Sequence, residues 1–232
     1  MAALSEAFDR TGAVRRPPYW RLLSEAWAGL TYGPPLPDCT DLPHGQGRVV
    51  LLIPAFLTTD AITRQLRAFL EGCGYRPFGW ELGVNWGPTP HLMAALHKRL
   101  GELRNLANDR VSLVGVSLGG LMARDLAYDH PNDVRDVITL ASPFNLPTAS
   151  TIEPLIRLAA CFYDPAIDID RLASPLPMRS TAIFTRDDGL VAWESCRRDD
   201  ANCASVEFVG PHLTVCRNPD VLRGVADRLA AD

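Results

Sequence analysis

LVGVSLGG, residues 113–120, runs apolar until it stops at Ser117, which is set among Gly115, Gly119 and Gly120. Glycine tolerates backbone angles and close approaches that a side chain forbids, so three of them around one hydroxyl mark a sharp turn. The residues before it, RVSLVGVS (110–117), read as a buried strand. Those after it, LGGLMARDLAYDHP (118–131), read as a helix stopped before Pro131. Gly115-Val116-Ser117-Leu118-Gly119 is therefore a GxSxG elbow, which lifts a serine hydroxyl out of a strand end. The following helix aims its first amides at that hydroxyl and favours negative charge there. Ser117 is the candidate nucleophile.

Outward from the elbow, short β-rich runs alternate with helical ones. Strands are expected at 48–54, 75–82, 110–117, 134–143, 178–186 and 204–210, and helices at 63–74, 89–107, 118–131 and 218–232. This alternation, with several continuous apolar strands, predicts an α/β fold: a mostly parallel open sheet of about six strands with helices on both faces. One interval breaks the rhythm. Between Pro143 and Met178 there is one helical stretch, 150–163, and a long loop. The segment leaves a strand at its carboxyl end, the side on which such sheets bind ligands, and is expected to form a small helical cap-like insertion. Residues 46–232 are thus one domain with a cap at 143–178.

Residues 1–45 differ, with one or two short amphipathic helices ahead of the prolines from Pro34 to Pro37. Trp20, Leu23, Trp27 and Leu30 share a helical face by their spacing. The extension is expected to pack this face on the core. A membrane-surface or homodimer contact is the alternative use of exposed tryptophans.

A serine hydroxyl needs a base to take its proton, and the base needs a carboxylate to orient it. On a sheet of this kind the chain order is serine, acid, histidine. Only His212, in the loop before the last helix, qualifies by position: His44, His91 and His97 precede Ser117, and His130 ends the helix after it. The acid belongs after the penultimate strand, where Asp187 and Asp188 stand side by side. Asp188 is preferred, although spacing does not separate them. An oxyanion hole requires two backbone N–H groups, one from Leu118 and one from the loop after the first strand, where Phe56 is favoured and Leu57 is the alternative. Leu57, Leu190, Val191 and Trp193, with the apolar run 152–162, suggest an apolar substrate pocket.

Composition excludes other classes. The 232 residues are 47% hydrophobic and 22% charged, with a formal net charge of −4, so no basic footprint for nucleic acid is present. No apolar run is long enough for a transmembrane span, and the first residues lack the continuous apolar segment of a signal peptide, which gives a cytoplasmic expectation. The six cysteines, Cys39, Cys73, Cys161, Cys196, Cys203 and Cys216, show no metal-ligand spacing. No metal is expected. Free, mostly buried thiols are the favoured state, with Cys196 and Cys203 the nearest pair in sequence.

The segments LLIPAFLTTDAITRQLRAFLEGCGYRPFGWELGVNWGPTP, VSLVGVSLGGLMARDLA, FTRDDGLVAWESC and HLTV resemble the bacterial lipase/esterase branch of the α/β-hydrolase superfamily, over about residues 48–232. In that family the acid precedes a short apolar stretch, which matches Asp188-Gly189-Leu190-Val191. Ala55 stands where the family commonly has glycine. The resemblance implies an α/β-hydrolase that cleaves carboxylic esters, lipid or small, through an acyl-enzyme on Ser117, His212 and Asp188, with no cofactor. The alternatives are an acyltransferase or thioesterase using the same triad, and a non-catalytic binding protein on the same fold.

Overall fold

The computed structural model describes residues 15–145 and 150–231. Six strands form one sheet: β1 (Val49–Ile53), β2 (Arg76–Gly79), β3 (Val111–Val116), β4 (Val134–Leu140), β5 (Ser180–Phe184) and β6 (Cys203–Glu207). Their order is β2-β1-β3-β4-β5-β6, and every neighbouring pair is parallel. The helices are α1 (Arg21–Thr31), α2 (Arg64–Gly72), α3 (Pro90–Ala107), α4 (Leu118–Asp129), α5 (Glu153–Ala159), α6 (Ile169–Ala173) and α7 (Pro219–Ala230). Within the described residues, no helix is long and apolar enough to cross a membrane.

Alternation along β1 explains the two layers. Val50 and Leu52 join a core made with Leu66, Phe69 and Leu70 of α2 and Val221, Leu222 and Val225 of α7. Val49, Leu51 and Ile53 point the other way, onto Leu92, Leu96, Leu100 and Leu103 of α3 and Met122 and Leu126 of α4. Both faces are covered, which is why β1 is apolar at all five positions. Thr89 accepts a hydrogen bond from the Leu92 N–H and starts α3 with Pro90 behind it, and Asn218 caps α7 in the same way through the amides of Asp220 and Val221. After β1 the chain turns to β2 on one side and to β3 on the other, so the carboxyl ends of β1 and β3 flank the crevice of the sheet.

Two expectations are corrected here. Trp20, Leu23, Trp27 and Leu30 do share one face of α1, but that face is exposed, from 66% at Trp20 to 86% at Leu30. The helix docks by its opposite face, Arg21, Glu25 and Gly29, where small and polar side chains meet loop backbone. The first part of the expected N-terminal helix, residues 1–14, lies outside the described residues. Second, Cys39 and Cys73 form a disulfide, with Cα atoms 5.4 Å apart, because the proline-rich segment carries Cys39 back over the end of α2. Cys196 and Cys203 remain free and buried, as does Cys216; Cys161 is free and exposed.

Between β4 and β5 the described part of the insertion holds α5, a short 3₁₀ turn at Ala160–Phe162, and α6. The α6 helix lies in what the sequence pattern suggests is loop; Asp168 starts it by accepting from the Asp170 and Arg171 amides.

Candidate active site

Ser117 stands between β3 and α4 with φ +51° and ψ −119°, a backbone conformation that residues with a side chain rarely adopt. The neighbouring glycines make room for it. A Cβ on Gly115 would meet the Gly119 and Gly120 backbone, one on Gly119 would meet the carbonyls of Ile53 and Pro54, and one on Gly120 would strike Ser142. The elbow therefore packs α4 backbone directly on the ends of β1 and β3. The Ser117 N–H donates to the Leu140 carbonyl at 2.8 Å, which ties the turn to β4 as well.

Asp188 follows β5 and His212 follows β6; they are 2% and 4% exposed. His212 Nδ1 lies 2.7 Å from Asp188 Oδ2, while Asp188 Oδ1 accepts the Leu190 and Val191 N–H groups at 2.8 Å each. Both carboxylate oxygens are thus engaged, and the imidazole edge facing Asp188 is Nδ1. Burial alone would pull His212 down, but the Asp188 charge, its hydrogen bond and the nearby Glu25 charge outweigh it, leaving the imidazole above its ordinary value. Asp187, beside it, is exposed, and its N–H donates to Thr185 Oγ1.

Within the described residues, no protein acceptor takes the Phe56 or the Leu118 N–H. Leu57 has φ +57° and donates its N–H to the Asn85 carbonyl at 2.7 Å, so that amide is occupied. Asn85, fully buried, also donates Nδ2 to the Pro54 carbonyl and accepts the Gly87 N–H, bracing the loop that carries Phe56. The sequence offers no signal for this residue, since its partners are main-chain atoms.

A narrow cavity of about 70 Å³ opens beside Ser117, walled by Phe56, Leu118, Ile152, Ile156, Leu190 and Val191. On the other side of Phe56 a wider groove of about 720 Å³ runs between Leu57, Trp86, Leu155, Leu158 and Phe162. The run 152–162 therefore divides by helical face, Ile152 and Ile156 to the cavity and Leu155 and Leu158 to the groove. Trp193 is not brought to either; it stacks on Phe184 with centroids 5.7 Å apart, under the Arg186 guanidinium. The insertion is fastened over the cavity at several points. Ser150 Oγ and the Thr151 N–H donate to the Leu190 carbonyl, the Asp164 N–H donates to the Pro88 carbonyl, and Arg124 Nε donates to the Leu172 carbonyl.

No protein-family model and no curated protein matches the sequence. Solved structures do resemble it. A Bacillus licheniformis lipase in mature form is 14% identical, the match covering 86% of this chain and 97% of the lipase, with TM-score 0.62. A metagenomic carboxyl esterase is 15% identical over 98% of both chains, with TM-score 0.59. An Aspergillus fumigatus lipase B is 15% identical over 85% of this chain but only 56% of its own length, with TM-score 0.62. With its parallel six-stranded sheet covered on both faces, and these structural neighbours, the chain has the α/β-hydrolase fold.

Proposed function

We propose that the protein is a serine hydrolase of carboxylic esters, with Ser117 as nucleophile, His212 as base and Asp188 as the acid that orients it. The observation that carries this reading is the buried 2.7 Å pair of His212 Nδ1 and Asp188 Oδ2 at the same end of the sheet as the strained Ser117 turn. With Nδ1 committed to Asp188, Nε2 is the basic nitrogen. It takes the Ser117 Oγ proton as Oγ bonds to the ester carbonyl carbon, and the Phe56 and Leu118 N–H groups receive the oxyanion. Collapse breaks the bond to the alcohol oxygen, which leaves with the proton from His212; water then repeats the sequence on the acyl-enzyme and frees the acid. The apolar walls support an apolar ester, with a short arm in the narrow cavity and a larger one in the groove. The neighbours that are lipases and esterases favour the same chemistry.

Hydrolysis of p-nitrophenyl esters of graded acyl length tests this, with a fluorophosphonate probe as a label for the nucleophile. Wild type is expected to turn over and to be labelled at Ser117, and Ser117→Ala to lose activity by about a millionfold, as in other serine hydrolases. Turnover by Ser117→Ala within tenfold of wild type would remove the assignment; absence of labelling in the folded protein would favour a binding role. For the exposed face of α1 the reading is a contact between two copies of the chain, and a single monomeric species in sedimentation would remove it.

A further inference from the structure

The helix α1 lies outside the sheet and its covering helices, yet its Glu25 is 1% exposed. Among the described residues its carboxylate forms no salt bridge; instead Oε1 accepts the Gly189 N–H and the His212 N–H at 2.8 Å each, and Oε2 accepts the Leu213 N–H at 2.8 Å. Gly189 follows the acid directly, and His212 is the base itself. One side chain therefore spans the loops after β5 and β6. Two neighbours fit the same arrangement. Arg21, one turn earlier, donates Nη1 to the Arg186 carbonyl at 3.0 Å, and a Cβ on Gly189 would run into Glu25 and Arg21. Glycine at 189 is what lets the helix come this close.

We propose that Glu25 is a positioning residue for the hydrolytic site: its carboxylate clamps the acid loop to the histidine loop and so sets the Asp188–His212 pair. This rests on the triad reading given above. A charged carboxylate suits the position because, among the described residues, the three converging N–H groups have no other acceptor, and a neutral amide offers only one accepting atom while pointing an N–H at the Leu213 donor. The charge also bears on the imidazole. The charged groups facing His212 are Asp188 from the loop after β5 and Glu25 from α1. The nearby cations aim elsewhere: Arg21 at the carbonyls of Arg186 and Asp188, and Arg217 at the carbonyls of Gly29 and Leu213. Both carboxylates favour the protonated ring, so losing either negative charge lowers the pH at which His212 becomes neutral.

The test compares Glu25→Gln with Arg217→Ala in the full chain. Arg217→Ala loosens the docking of α1 at Gly29 and removes a 3.5 Å contact to the Leu213 carbonyl, but leaves Glu25 and the three N–H groups it accepts in place. For Glu25→Gln, kcat on p-nitrophenyl butyrate is expected to fall about ten- to a hundredfold with KM within threefold, as for small misplacements of reacting groups. The acid limb of its pH–rate profile should move to lower pH, whereas in Arg217→Ala the limb stays in place. Glu25→Asp, which keeps the charge and withdraws it by one methylene, should lose several-fold in kcat with the limb near its wild-type position; it serves also if Glu25→Gln does not fold. An unmoved limb in Glu25→Gln, or equal losses in both variants at matched Tm, overturns the proposal. NMR of the proton shared by His212 and Asp188, and of the His212 titration, separates this from failure of the triad. Should Ser117→Ala retain turnover, the triad reading falls, while a His212 titration unchanged by Glu25→Gln would sink the clamp on its own.

Discussion

At the scale of single residues, Asp187 and Asp188 are adjacent carboxylates in the same turn with different surroundings. Asp188 is buried against His212 and holds two loop amides with its other oxygen, whereas Asp187 is in solvent. Asp188→Asn should therefore lower kcat by about four orders of magnitude, as in triads whose acid is made neutral, with Asp187→Asn close to wild type. Similar losses in both, measured on one ester, would remove the assignment of the acid. The pH profile follows from His212. Its base form is the neutral one, and its pKa is raised, so activity should climb through a midpoint above histidine's ordinary value of about 6.5. Ser117 was legible because the elbow is local, with spacing and glycines all within a few residues. His212 was legible by elimination along the chain. Glu25 and Asn85 were not, because what they bind is backbone of loops distant in sequence, and backbone amides have no letter in a sequence.

Among the elements, α4 does two jobs. Its first residue supplies the Leu118 amide at the elbow, and its later turns hold the insertion: Arg124 donates to the Leu172 carbonyl, and Tyr128 donates to the Ser174 carbonyl. On the same helix the Asp125 carboxyl is pushed up to about 6 by burial, with Asp129, Asp164 and Asp168 adding to the shift and Arg171 opposing it. An acid whose folded pKa lies above its unfolded value, about 3.9, contributes fully below that value and loses stability as pH rises through about 6. Asp125→Asn should thus raise Tm relative to wild type at pH 8 and leave it unchanged at pH 4; equal Tm at both would show the carboxyl to be solvated. The inner strands β1, β3, β4 and β5 were legible because their mostly apolar runs are buried on both faces, whereas the edge strands β2 and β6 are only partly buried. The α6 helix was not, because five residues carry too little periodicity to separate from loop. The face of α1 misled for a different reason. An apolar stripe ordinarily marks the buried side, but here the loops present unpaired N–H groups, which Glu25 satisfies and a leucine would not.

For the molecule as a whole, the Cys39–Cys73 disulfide ties the segment after α1 to the end of α2 across a sequence separation of 34. Closing a loop of that length constrains the unfolded chain by about 2–4 kcal/mol. Reduction, or Cys73→Ser, should lower stability by that order in a denaturant titration, and an identical midpoint with and without reductant would show that the bond does not form. Persistent disulfides belong to oxidising compartments, so this bridge weighs against the cytoplasmic expectation drawn from the sequence. Sequence spacing missed it because pairing depends on the path of the proline-rich segment, which no periodicity describes.

The clamp at Glu25 also orders events in time. Its three bonds join residues 164, 187 and 188 positions apart, while one half of the sheet, β2-β1-β3, is complete by Val116. Contacts that distant in sequence close late, whether in refolding or as the chain leaves the ribosome. The helix α1 is made before any strand and finds its final seat only after Leu213 exists. On the hydrolase reading proposed above, a nascent chain would carry its elbow serine from the moment residue 117 is made, and its base would be set only once Leu213 has followed.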